Sequence, residues 1–287
     1  MKTMILAAVS AAALTGLAAA PASAADVEIR DAVARVIVIV EDRQDVGVEV
    51  TQGRSALPAV QVRRNGRDVR IDGGLGRNAI RNCASGPSDA RQPGQGATVE
   101  VRRVGRVRLD DAPMIVLRMP RDVDLNACGA VYGAVGRGAR SIELGNAGCG
   151  DWTVANTDGQ LSLSLGGSGS IRAGTSSALE ASLGGSGSIS AGATRSLEAA
   201  IGGSGDINVA RIDGPAEVAI GGSGDVTIRD GASPSFEVAV AGSGNVRYGG
   251  STRDLDVSIV GSGDVRVGAA DNVSRSIMGS GSVHVGR

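Results

Sequence analysis

The chain has 287 residues, of which 45 are Gly, only one is Trp, two are Tyr and one is Phe, and 42% are hydrophobic. Its core must therefore come from Val, Leu, Ile and Ala, which are plentiful enough to exclude intrinsic disorder, while the dearth of rings excludes base stacking and the aromatic girdles of a membrane barrel. Lys2 is the only lysine, so 28 Arg face 30 acidic residues and nucleic acid is not the implied partner. The single His, His284, leaves His-dependent catalysis almost without means.

In chain order, Lys2, the apolar run Met4 to Ala20, Pro21 and the triplet Ala22-Ser23-Ala24 read as a secretory signal peptide over residues 1–24. An exported protein, periplasmic or at the cell surface, is expected, with no transmembrane segment in the mature chain. Residues 25–126 read as an N-terminal cap of β-strands. The strands are Val33 to Val40, Val46 to Val50 and a hairpin of Val60 to Val62 with Val69 to Ile71 around Asn65-Gly66. Within this cap, residues 72–96 hold few aliphatics but many Gly, plus Pro87 and Pro93, and read as a long loop.

Residues 127–287 carry the repeat. Gly-Ser-Gly, followed by a polar residue and an aliphatic, recurs with its first Gly at Gly167, Gly185, Gly203, Gly222, Gly242, Gly261 and Gly279, and Gly148-Cys149-Gly150 fits the same register. Each triplet follows an alternating segment such as Leu179-Glu-Ala-Ser-Leu183 or Phe236-Glu-Val-Ala-Val240 and precedes a second short alternation such as Asp206-Ile-Asn-Val209. A period of two is a strand, and no single unit can bury its apolar edge alone. Consecutive units must stack in register, which predicts an all-β, right-handed parallel β-helix of 18–20-residue coils. A left-handed hexapeptide helix would need a third aliphatic per coil, where Arg195 and Asp213 stand instead. Leu183, Ile201, Ile220, Val240 and Ile259 should form one buried column, and Arg275 falls in the inward slot that Val257 holds one rung earlier.

The glycines lack the Lys of a Walker-type loop, so they read as corners needing close approach or positive φ. The serine column from Ser168 to Ser280 has no His or Lys base and reads as hydroxyls satisfying corner backbone groups. No metal site is expected, because the three cysteines have no C-x-x-C spacing. No cofactor is expected either, with calcium in the Gly-rich turns the one alternative. Stacked Cys128 and Cys149 approach each other poorly, whereas Cys83 lies in a loop, so a Cys83–Cys149 disulfide is expected with Cys128 buried and free.

The Gly-Ser-Gly repeats, the Pro-terminated strand ending at Pro120 and Gly242-Ser-Gly-Asn-Val-Arg-Tyr-Gly249 together resemble the head GIN domain of putative auto-transporter adhesins, over roughly Val33 to Val285. That resemblance implies an extracytoplasmic parallel β-helix without assigned catalytic residues. The terminal Val283-His-Val-Gly-Arg287 does not read as a barrel-insertion signal, so no translocator is expected.

The surface singled out is a column of acids at the second position of the first strand, namely Glu180, Glu198, Glu217, Glu237 and Asp256. It lies beside a strip of small residues, Ser182, Ala200, Ala219, Ala239 and Ser258. Alternation puts both outside. The expected function is a non-enzymatic envelope or surface module, adhesion-like, offering a rigid face to a protein or glycan. The alternative is a β-helix carbohydrate-active enzyme, a polysaccharide lyase or hydrolase, using Asp151, Asp206 or Asp225 as paired carboxylates.

Overall fold

The computed structural model describes residues 25–76, 78–87 and 91–286. The signal-peptide reading of 1–24 lies outside them. From residue 122 on, the chain is a parallel β-solenoid of about nine turns of roughly 19 residues, preceded by further strands. Each turn contributes one strand to each of two ladders. The first ladder runs through β9 (Asp122–Val135), β10 (Ser141–Gly148), β12 (Gln160–Leu165), β14 (Ala178–Leu183), β16 (Leu197–Ile201) and β18 (Ala216–Ile220). The second takes the far half of β9, then β11 (Asp151–Val154), β13 (Ser170–Ala173), β15 (Ser188–Thr194) and β17 (Asp206–Ile212). Three long strands then bend through both ladders: β19 (Val226–Gly242), β20 (Val246–Gly261) and β21 (Asp264–Gly279). β22 (Ser282–Val285) ends the second ladder.

The register follows the sequence repeat. Leu183 pairs with Ile201, Ile201 with Ile220, Ile220 with Val240 and Val240 with Ile259, and every member is at most 2% exposed. Burying each such side chain contributes about 1.5–3 kcal/mol, and columns like this one make up the interior. The triplet corners fit only Gly at two of their three positions. A Cβ on Gly222 would strike the carbonyl of Gly203, one on Gly205 would enter the Leu183 side chain, and Gly261 adds a φ of +134°. The middle Ser donates its backbone N–H to the rung before, as in Ser186 to Gly167 at 3.1 Å and Ser262 to Gly242 at 2.9 Å.

The serine hydroxyls of the triplets do something other than expected. They face outward, and among the described residues none of Ser186, Ser204, Ser223, Ser243 and Ser262 hydrogen-bonds through its side chain. The buried hydroxyls that do satisfy backbone belong to a different corner. Thr194, Ser233 and Thr252 each donate to the carbonyl two residues on, at 2.9, 2.6 and 3.0 Å.

The N-terminal region extends the stack before closing it. β1 (Asp26–Val40) pairs in parallel with β9 and, on its other edge, with β4 (Asp68–Asp72) and β8 (Met114–Met119). Beyond these, β2 (Gly47–Thr51) and β3 (Gln61–Asn65) pair antiparallel to β8 and β4. The segment read as a loop over 72–96 holds a strand, β5 (Ile80–Ala84), which forms an antiparallel sheet with β6 (Thr98–Val101) and β7 (Gly105–Arg108). This small sheet has its own core: Val99, Val107 and Leu109 meet Val33, Ala130 and Tyr132 from the rod.

Candidate functional site

The acidic column stands on the outward positions of the first ladder. Glu180 pairs with Glu198, Glu198 with Glu217, Glu217 with Glu237 and Glu237 with Asp256, and all five are exposed. Two residues on, Ser182, Ala200, Ala219, Ala239 and Ser258 hold the neighbouring outward positions. A shallow groove of about 300 Å³ runs beside Glu180, Glu198, Glu217 and Glu237, with Pro215 and Ser235 on its rim.

The column is longer than the repeat alone indicates. Ser162 sits opposite both Glu180 and Glu143, Glu143 opposite Asp124, and Asp124 opposite Asp26. From Asp124 to Asp256 the line spans eight rungs, roughly 34 Å, with Ser162 its one neutral member. The sequence hides Glu143 because Ser162 interrupts the pattern, although Ile142-Glu-Leu144 repeats the phase of Leu179-Glu-Ala181. At the near end like charges leave their mark. Burial first, then Asp26, Glu143 and Asp68, push the Asp124 carboxyl up to about 6. Among the described residues, none of Glu143, Glu180, Glu198, Glu217, Glu237 and Asp256 makes an ion pair, whereas acids elsewhere are paired, as in Arg118–Glu41, Arg70–Glu28 and Arg211–Asp213.

The acids of the other ladder are hydrogen-bonded from rung to rung. Asp151 accepts from the backbone N–H and hydroxyl of Ser170 at 3.0 and 2.8 Å. Asp206 then accepts from the N–H of Asp225, Asp225 from that of Asn245, Asn245 from that of Asp264, and Asp264 from that of Ser282, all within 3.1 Å. The Ser282 hydroxyl, bonded to Asp264, holds that carboxyl below the usual range. These side chains fasten each rung to the next. A polar groove of about 560 Å³ does lie between residues 85–87 and 91–95 and this face, with Asp151, Arg172 and Asp206 in its wall. Tyr132 lines it too; burial, then the Asp151 charge, pushes its phenol up to about 12.

The disulfide joins Cys83 and Cys149, with Cα atoms 6.2 Å apart, and so ties β5 to the corner between β10 and β11. Cys128 is free but exposed, not buried. Leu125 and Ala127 are the inward residues of that strand, which turns Cys128 outward. Among the described residues no three Asp, Glu, His or Cys side chains converge on a metal position, and no helix is long and apolar enough to cross a membrane.

Fold and surface together define an all-β protein built on a parallel solenoid with one unpaired acidic face. Residues 214–286 match the family described as "Putative auto-transporter adhesin, head GIN domain", so the resemblance to that domain is shown for this part of the chain. Three solved structures are similar across most of their length. A putative adhesin of Parabacteroides distasonis ATCC 8503 has 17% identity over 92% of this chain and 93% of that one, with a TM-score of 0.48. A "putative lipid binding protein" of the same organism has 17% identity, coverage of 93% and 95%, and a TM-score of 0.44. A putative adhesin of Bacteroides fragilis NCTC 9343 has 13% identity, coverage of 92% and 93%, and a TM-score of 0.38. No curated protein matches the chain significantly.

Proposed function

We propose that this chain is a non-enzymatic interaction module of the cell envelope or surface, which uses the acidic column and the small-residue strip beside it to dock a cationic or cation-bridged partner. The observation that carries this reading is the run of acids without ion pairs on consecutive rungs, in a molecule whose other acids are mostly paired or bonded. Like charges directly opposite on neighbouring strands cost stability. A cation, an Arg-rich protein face or a calcium-bridged glycan would relieve that cost, and the flat strip allows a rigid partner close approach. A disulfide and the head GIN match both accord with an extracytoplasmic setting. The enzyme alternative has less support, since Asp151, Asp206 and Asp225 each accept the next rung's N–H through one carboxylate oxygen, a stacking role that recurs with the rungs.

The test is a triple variant, Glu198→Gln, Glu217→Gln and Glu237→Gln. It should fold, melt slightly higher than the parent in low salt, and lose both stabilisation by millimolar calcium and capture of a surface-immobilised poly-Arg peptide. Unchanged responses to both probes would reject the reading, as would turnover of a polysaccharide panel in a reducing-sugar or unsaturated-uronate assay.

A further inference from the structure

The two ends of the rod differ in how their last strand edges are treated, and the C-terminal edge has a chemical signature of its own. β21 pairs with β20 on one edge and β22 continues the second ladder, but among the described residues no strand pairs with the far edge of Asn272–Gly279 or of Ser282–Val285. Their outer N–H and C=O groups are therefore a ready template for another strand. The inward positions on this edge continue the buried columns. Val273, Arg275 and Ile277 stand opposite Leu255, Val257 and Ile259. Those partners are at most 2% exposed, whereas Val273 is 45% and Ile277 37% exposed. Val273, Arg275, Val283, His284 and Val285 line a hollow of about 520 Å³ at this end.

Arg275 is the informative residue. It occupies a core column as a cation and makes no ion pair or hydrogen bond among the described residues. A purely apolar covering strand would bury that charge unpaired, which is strongly unfavourable. A second copy docking the same end about a two-fold centred on this strand would set Arg275 against its own mate. A strand with a carboxylate between two aliphatics would meet every requirement: aliphatics over Val273 and Ile277, an acid on Arg275, and backbone bonds along the edge. Because that pattern is symmetric, it fits in either strand direction.

We propose that the C-terminal end of the solenoid binds one extended strand of a partner protein whose inward residues run aliphatic, Asp or Glu, aliphatic. The mode is strand addition, with main-chain bonds giving affinity and the Arg275 pairing giving selectivity. The site is remote from the acidic column and independent of it.

The experiment uses the full chain and three fluorescein-labelled nonapeptides, Ser-Thr-Val-Thr-X-Thr-Val-Thr-Ser, with X as Glu, Lys or Val. By fluorescence anisotropy the Glu peptide should bind at least about tenfold tighter than the Lys or Val peptide. Hydrogen exchange should show new protection confined to residues 272–285. Arg275→Glu, on an exposed terminal rung and so expected to melt like the parent, should reverse the order in favour of the Lys peptide. Three results would overturn the proposal: no binding of any peptide, equal binding of all three, or a Glu preference that survives Arg275→Glu. So would a dimer in sedimentation that persists in that variant and protects the same residues, since a second copy would then be the occupant.

Discussion

Among the described residues one end of this rod is closed by antiparallel strands and the other leaves a strand edge unpaired, and the same stacking rule produces both. At the N-terminal end β1, β4 and β8 continue the parallel ladders, and β2 and β3 then reverse direction and end them. The Cys83–Cys149 bond and the β5–β7 sheet cover the flank, and ion pairs such as Arg30–Asp72, Arg70–Glu28 and Arg118–Glu41 lace neighbouring strands. At the C-terminal end the last rung keeps the register and loses the burial. Val257 is fully buried, and one rung later its column position is the exposed Arg275. Register in a solenoid is thus inherited from the rung before, whereas burial needs a neighbour on both sides.

The largest perturbation should come from the middle, where both neighbours are present. Ile220→Asp places an unpaired carboxylate in a complete column and should cost about 5 kcal/mol, read as a shift in the denaturation midpoint. A variant that melts with the parent would contradict the column. Breaking the closed end is the next step down. Cys149→Ser removes a crosslink across 66 residues and should cost about 4 kcal/mol by the loop-entropy model, and non-reducing peptide maps of the parent should link Cys83 to Cys149 alone.

Asp124, at the junction of the closed end and the regular stack, gives a smaller effect with a definite pH signature. Its carboxyl titrates higher in the fold, at about 6, than the ordinary 3.8, so the folded state holds its proton longer and stability falls as pH rises between those values. Asp124→Asn should therefore stabilise the protein at pH 7 by about 1 kcal/mol, after allowance for partial solvent exposure, and by nothing at pH 3. A gain that is the same at both pH values would contradict the charge argument. The smallest effect should lie at the open end. Ile277→Ala should cost less than about 1 kcal/mol, while Ile259→Ala, one rung inward in the same column, should cost about 3 kcal/mol in matched urea titrations.

The regular part of this architecture is legible because its physics is local. An alternation of period two and a recurrence of 18 to 20 residues determine which side chains face in and which rungs touch, so the Ile201 column and the Glu198 column could both be read from spacing. The rest depends on contacts between remote segments. Ile80 and Ala84 alone give β5 no alternation, and that strand exists because β6 supplies its partner and Val33 and Tyr132 supply its floor. Cys128 follows the inward Ala127 and so points out, a phase that the Cys-Gly-Ala sequence at an irregular corner does not declare. The serine triplets invite a hydroxyl ladder, but the corner carbonyls are met by backbone N–H groups, and the buried hydroxyls sit on Thr194, Ser233 and Thr252.

The succession Asp206, Asp225, Asn245, Asp264 and Ser282 bonds each rung only to its successor, across 18 to 20 residues. Bonds of that reach make length a free variable. An inserted or deleted unit between Gly203 and Gly222 would give new neighbours only to the two rungs beside the change, and would otherwise move only the distance between the two ends. A chain built this way is a molecular ruler graduated in steps of about 4.8 Å, on which the spacing between whatever is held at either end can drift by whole divisions while the fold stays the same.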